Sequence, residues 1–171
     1  NHAEFLEQRL SSIVGQTYEH IDILVLDDKS SDNSREVIES FRNRHPDRVV
    51  AYFNDENSGN VFRQWRKGIE LAKGDLIWIC ESDDFCEPDF VERVVPHLLD
   101  RSVSIAFGRI QFAEADGRLR VGADRYRENA EHGIWGTAVT RPAHEWFTSG
   151  FAVSNVIANV GGCIWRRQDI P

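Results

Sequence analysis

Residues 21–34 read IDILVLDDKSSDNS, and the fold turns on them. An apolar run that closes in two acids has the form of a strand buried on both faces, as in a parallel sheet, with the acids at its carboxyl end. KSSDNS then supplies turn residues and a helix cap, and Val37, Ile38 and Phe41 mark the helix that follows. Adjacent carboxylates repel unless each meets a hydrogen-bond donor or a cation, which makes Asp27 and Asp28 site candidates. Asp28 is assigned to ligand contact: a carboxylate there can accept an N–H from a nucleobase edge and so select one base over others. Asp32 reads as a turn acid capping the next helix.

Upstream, Phe5, Leu6, Leu10, Ile13 and Val14 form one stripe of an amphipathic helix. Downstream, VVAYF at 49–53 is a second strand; Asn54 to Asn60 are turn-rich, and Phe62, Trp65, Ile69 and Ala72 recur at helical spacing. Gly74 fits a helix stop, LIWIC at 76–80 a third strand, and ESDD at 81–84 again puts acids where a strand ends. Pro88 opens a helix with Phe90, Val91, Val94, Val95, Leu98 and Leu99 on its buried face, which Pro96 should kink or shorten. Strands alternating with helices predict an open, mostly parallel α/β sheet, whose ligands bind outside the carboxyl ends of the strands. Beyond residue 102, SIAFG, RIQFA and RLRVG around an Ala-Asp-Gly turn suggest antiparallel hairpin material. Residues 123–150 read as a long irregular segment with one short helix at Pro142 to Ser149.

At 171 residues the chain suits one domain with a single core, and 41% hydrophobic and 28% charged residues are ordinary globular usage. A formal net charge of −8 argues against nucleic acid as a partner, since 20 Lys and Arg would have to gather on one face against the overall field. Cys80, Cys86 and Cys163 form no CxxC pair, so neither a zinc site nor a complete disulfide framework is signalled, and a reducing compartment is expected. No apolar run approaches the roughly 20 residues of a membrane span, and the first residues lack the pattern of a signal peptide.

Glu81, Ser82, Asp83 and Asp84 carry the sharper signal. Three carboxylates so close at a strand end call for a bound cation, and Mn2+ or Mg2+ suits them. Such an ion takes one or two protein carboxylates, keeps positions for phosphate oxygens, and neutralises a departing diphosphate. The plain alternative is a solvated acidic loop. Trp65 and Trp78 fall on apolar patterns and read as core, and His20, His45, His97, His132 and His144 lack metal-ligand spacing.

Taken in order, SSIVGQTY, LVLDDKSSDNS and NSGNVFRQWRKGIELAKGDLIWICESDDFCEPDF resemble family 2 glycosyltransferases over nearly the whole chain. The resemblance implies a GT-A fold, a three-layer αβα sandwich whose mostly parallel open sheet has a smaller antiparallel part. It further implies one GT-A domain over 1–171, with a nucleotide-binding half at 1–101 and a donor- and acceptor-side half at 102–171. On this likeness Asp28, with Asp27 beside it, pairs with the base, and Asn57 and Gly59 flank the nucleotide. Glu81 stands where the first acid of a DxD triplet stands, next to Ser82; Asp83 binds the metal and Asp84 supports it. Asn155, Asn159, Gly161, Gly162 and Arg166 resemble the segment lining the donor sugar and acceptor. In that family a strand precedes the opening helix and the general base follows the segment resembling NVGGCIWRR, so both are expected outside residues 1–171, with Glu145 the nearest internal candidate for the base.

The implied activity is inverting transfer of a sugar from a UDP-, GDP- or dTDP-sugar to a hydroxyl of a saccharide or lipid-linked acceptor. Its setting would be bacterial polysaccharide or glycoconjugate synthesis, in the cytoplasm or peripherally at the inner face of the membrane. Two rivals stand beside it. One is a GT-A domain that binds nucleotide without catalysis. The other is a phosphoacceptor receiver domain, which wants its paired acids on the first strand and a Lys after a later one; here a helix comes before the acids.

Overall fold

The computed structural model describes residues 1–114, 116–120, 135–152 and 155–170. The first elements come in the expected order: α1 (Ala3–Val14), β1 (Ile23–Asp27), α2 (Ser34–Arg44), β2 (Val49–Phe53) and α3 (Val61–Leu71). β1 and β2 pair in parallel, with Ile23 opposite Val49 and Asp27 opposite Phe53. Because side chains alternate along a strand, β1 serves two faces. Ile23 and Val25 join Leu10, Ile13, Phe41 and Val49 in a core shared with α1 and α2. Leu26 meets α3 instead, where a Cβ added to Gly68 would stand 3.2 Å from Leu26 Cδ1, so the glycine permits the close approach. Helices thus cover both faces of β1.

Local chemistry explains the boundaries. The Asn60 side chain accepts the Phe62 N–H at 2.9 Å and starts α3. That helix stops earlier than Gly74 suggested: Ala72 is already extended, which ends the turn two residues before the glycine. α4 (Phe90–Val94) tightens into a 3-10 turn at Val95–Leu98, which contains Pro96, a residue with no N–H for an α-helical bond. The buried Gln16 ties the end of α1 to this region, donating to Glu87 O at 2.7 Å and accepting the Val91 N–H at 2.9 Å.

The remaining strands form a separate sheet. β3 (Leu76–Trp78) pairs antiparallel with β5 (Cys163–Arg166), and β4 (Ile105–Phe107) is the third strand, beyond β5. Val91, Val94, Val95 and Leu98 pack with Ile164 of β5 in a second core cluster.

By contacts the chain divides into a unit of Asn1–Ala106 with Cys163–Pro171, and a unit of Phe107–Gly162. Within the second, the described residues of the expected hairpin form one antiparallel bridge, Ala113 with Leu119, turning at Gly117 with φ +82°. α5 (Ala143–Glu145) runs straight into a π-helical turn, Trp146–Phe151. Trp146 stacks on Trp135 at 6.0 Å and carries the Arg141 guanidinium at 5.4 Å. Residues 121–134, which take in the end of the expected RLRVG strand and the start of the expected irregular segment with His132, lie outside the described residues. No helix among the described residues is long and apolar enough to cross a membrane.

Ile23 donates its amide to Arg48 O and Asp27 O accepts from Asn54, so the odd-numbered residues of β1 bond toward β2. In a parallel ladder Leu24 and Leu26 then direct their peptide groups to the opposite edge, where β1 has no partner strand among the described residues. Amide hydrogen exchange in the isolated chain should be faster at Leu24 and Leu26 than at Val25. Phe41, 1% exposed, gives a second expectation: Phe41→Ala should lower unfolding free energy by about 3–5 kcal/mol in urea titration.

Candidate functional site

Both acid clusters belong to the first unit. Asp28, just beyond β1, is the hub of the loop that follows β2. Its Oδ1 accepts from Asn54 Nδ2 at 2.7 Å, Gln64 Nε2 at 2.8 Å and the Ser58 amide at 2.9 Å; its Oδ2 accepts the Ser58 hydroxyl at 2.7 Å. The Asn57 side chain donates to the Asp28 carbonyl at 2.6 Å and accepts the Gly59 amide at 2.8 Å, closing a tight turn in which Gly59 has φ +63°. Lys67 reaches Asn54 Oδ1 at 2.6 Å and brings a positive charge near. Burial pulls the Asp28 pKa up, but the Ser58 and Asn54 bonds and the Lys67 charge outweigh it and hold the carboxyl below its ordinary value. Lys29, next in sequence, has φ 60°, a left-handed conformation uncommon for a residue with a Cβ.

Asp27 is 7% exposed and accepts the Ser30 amide at 3.2 Å. Asp32 does what a turn acid does, accepting the Ser34 amide at 3.1 Å and the Ser34 hydroxyl. It also takes the Ala3 amide at 3.1 Å, joining the start of α1 to the loop after β1. The Ser34 hydroxyl is the main cause holding its pKa at about 2.

The start of α1 bridges the two acid clusters. Asn1 Oδ1 accepts the Ser31 amide at 2.6 Å, and His2 Nδ1 lies 2.7 Å from Ser82 Oγ in the acidic turn after β3. Asn1, His2, Asp27, Asp28, Ser30, Cys80 and Ser82 line one cavity of about 260 Å³. Asn57, Gly59, Glu81, Asp83 and Asp84 are not part of its lining. Asp83 is exposed, and no side chain among the described residues bonds to it. Among the described residues no cluster of His, Cys, Asp and Glu could enclose an ion by itself. An ion that takes one or two carboxylates and completes its shell with diphosphate oxygens needs no such cluster.

Sequence reasoning passed over several residues here. Arg9, 3% exposed, lies over Trp78 at 5.5 Å and lines the same cavity, its Nε and Nη2 without hydrogen-bond partners. A stripe of apolar residues gave no hint that the polar position between Leu6 and Leu10 would be buried. Asn54 and Gln64 became visible only as partners of Asp28. Cys80 is pushed up to about 12 by burial, and burial also raises Cys86, so neither offers a thiolate. Arg166 is committed to the backbone, donating to Leu98 O at 2.6 Å and Asp100 O at 3.1 Å. Asn155, Asn159, Gly161, Gly162 and Glu145 belong to the second unit.

The profile of glycosyl transferase family 2 matches residues 1–165. The chain belongs to glycosyl transferase family 2. The glycosyltransferase GlyG of Streptococcus pneumoniae is 30% identical over 120 residues, 70% of this chain and 39% of GlyG. The mannosyltransferase PcManGT of Pyrobaculum calidifontis, solved with GDP-Man and Mn2+, superposes with TM-score 0.57 at 23% identity, over 61% of this chain and 31% of that one. S. aureus TarS 1–349 in complex with UDP gives TM-score 0.60 at 16% identity, over 96% of this chain and 43% of that one. At those identities the structures establish the GT-A fold. The chain spans less than half the length of each of these relatives.

The depressed carboxyls have a pH consequence. A folded-state pKa below the unfolded one adds stability that is present above the unfolded value, about 4, and is lost as pH falls through the folded one. The thermal midpoint should therefore drop between about pH 4 and about pH 2, the value that the Asp32 carboxyl reaches. Asp28→Ala at neutral pH should cost about 1–3 kcal/mol by leaving the Asn54, Ser58 and Gln64 donors unpaired.

Proposed function

We propose that this family 2 chain forms the donor site of an inverting glycosyltransferase that moves a hexosyl group from a nucleoside-diphosphate sugar to an acceptor hydroxyl. The observation that carries the reading is the convergence of the Asp27–Asp28 loop and the acidic turn after β3, held together through Asn1 and His2 at one end of the first unit. Support comes from PcManGT and TarS, which share the fold and were solved with GDP-Man and with UDP.

In this reading Asp27 and Asp28 lie on the nucleoside side, Asn57 and Gly59 shape the flanking loop, and Glu81 and Ser82 face the ribose and diphosphate. A base N–H contacting Asp28 would displace one donor already bonded there, so the loop from Asn54 to Asn60 adjusts as nucleotide enters. Asp83, with Asp84 in support, would hold Mn2+ or Mg2+, which supplies charge neutralisation for the departing diphosphate. The acceptor hydroxyl gives its proton to a general base and attacks the anomeric carbon. The bond to the diphosphate oxygen breaks with its electron pair, and one displacement inverts the centre. We take the acceptor to be a saccharide or lipid-linked saccharide of a bacterial polysaccharide or glycoconjugate, and the setting to be the cytoplasm or the inner face of the membrane, on family analogy.

Calorimetric titration of UDP, GDP and dTDP, each with and without Mn2+, tests the site. One nucleotide should bind in a metal-dependent way, and Asp83→Ala should weaken that binding at least about tenfold, roughly 1.4 kcal/mol. Binding indifferent to both metal and Asp83, or none by any nucleotide, would overturn the assignment.

A further inference from the structure

His2 is a residue that the charge pattern of the acid clusters does not point to. It precedes α1 directly, and its ring is held on two sides: Nδ1 lies 2.7 Å from Ser82 Oγ, and the edge of Phe5 packs against it at 6.1 Å with the planes 80° apart. Ser82 has a hydroxyl hydrogen to give. The neutral tautomer that accepts it at Nδ1 carries its own proton on Nε2, and so does the imidazolium, so both present an Nε2–H.

The surroundings are built for an anion in spite of the acids nearby. His2 sits at the amino end of the 12-residue helix α1, where backbone N–H groups carry partial positive charge. Arg9, one of the most deeply buried residues of α1, lines the same cavity with two guanidinium nitrogens unpartnered. Buried donors without an acceptor are costly, and an anion in the cavity that Arg9 lines would relieve those two nitrogens.

We propose that His2 is a substrate-binding residue whose Nε2–H donates to the diphosphate of the nucleotide donor, with Ser82 fixing the tautomer and orientation of the ring. The inference rests on the donor-site reading above and deepens it: discrimination between a nucleoside diphosphate and a monophosphate passes through His2, separately from the metal carboxylates.

The test compares the intact chain with His2→Ala and His2→Gln, titrating in Mn2+ the diphosphate that the wild type binds and the corresponding monophosphate. His2→Ala should weaken the diphosphate about tenfold or more, as loss of a charge-assisted hydrogen bond does, and leave the monophosphate within about twofold. His2→Gln, whose amide can donate from a similar reach, should recover most of that loss. Thermal midpoints measured alongside should agree among the three proteins to within about 2 °C, consistent with an exposed residue. Unchanged diphosphate affinity in His2→Ala, or equal weakening of both ligands, would overturn the proposal in favour of a purely structural clamp on Ser82. Failure of the wild type itself to bind any nucleotide would instead overturn the donor-site reading on which the proposal stands.

Discussion

Two parallel strands cannot be joined by a tight turn, and that constraint organises the first half of the molecule. The chain leaving Asp27 must travel back along the sheet before β2 can start at Val49, and α2 makes the return. The loop after β1 and the loop after β2 therefore emerge at the same end. Asp28 exploits this by collecting donors from Asn54, Ser58 and Gln64, so that one carboxylate joins the end of β1, the loop after β2 and the first turn of α3.

Burial does the rest of the positioning. Ile23, Phe41, Val49, Leu10 and Ile13 fix α1 and α2 against one face of β1, and Gly68 lets α3 approach the other. With α1 held there, its first residues arrive beside both acid-bearing loops, where Asn1, His2 and Ala3 make contacts across about thirty to eighty positions of sequence. Gln16 holds the far end of α1 against Glu87 and Val91, so one helix is anchored to the sheet's crossover and to the segment after the acidic turn.

Electrostatics at the site is a balance rather than an excess of negative charge. The carboxylates of Asp28 and Asp32 are spent largely on hydrogen bonds that keep them ionised, whereas Asp83 is exposed with no side chain among the described residues bonded to it. Arg9 and the amino end of α1 provide the opposite sign. A diphosphate and a divalent ion would complete such an arrangement with little net change in charge.

Periodicity and turn chemistry were enough to read α1, β1, α2, β2 and α3 and to foresee that Pro96 would kink or shorten a helix, because each rests on residues within a turn or two of one another. The acids at 27–28 and 81–84 were legible as ends of strands for the same reason, and their order along the chain carried the family resemblance. What local pattern could not hold was pairing at a distance: that β3 takes β5 as an antiparallel neighbour some ninety residues away, that Arg9 is buried, and that His2 meets Ser82. Apolar spacing says which face of an element is buried and says nothing of what will cover it. The choice of partner is made by packing and hydrogen bonding among segments that become neighbours only when the whole core closes.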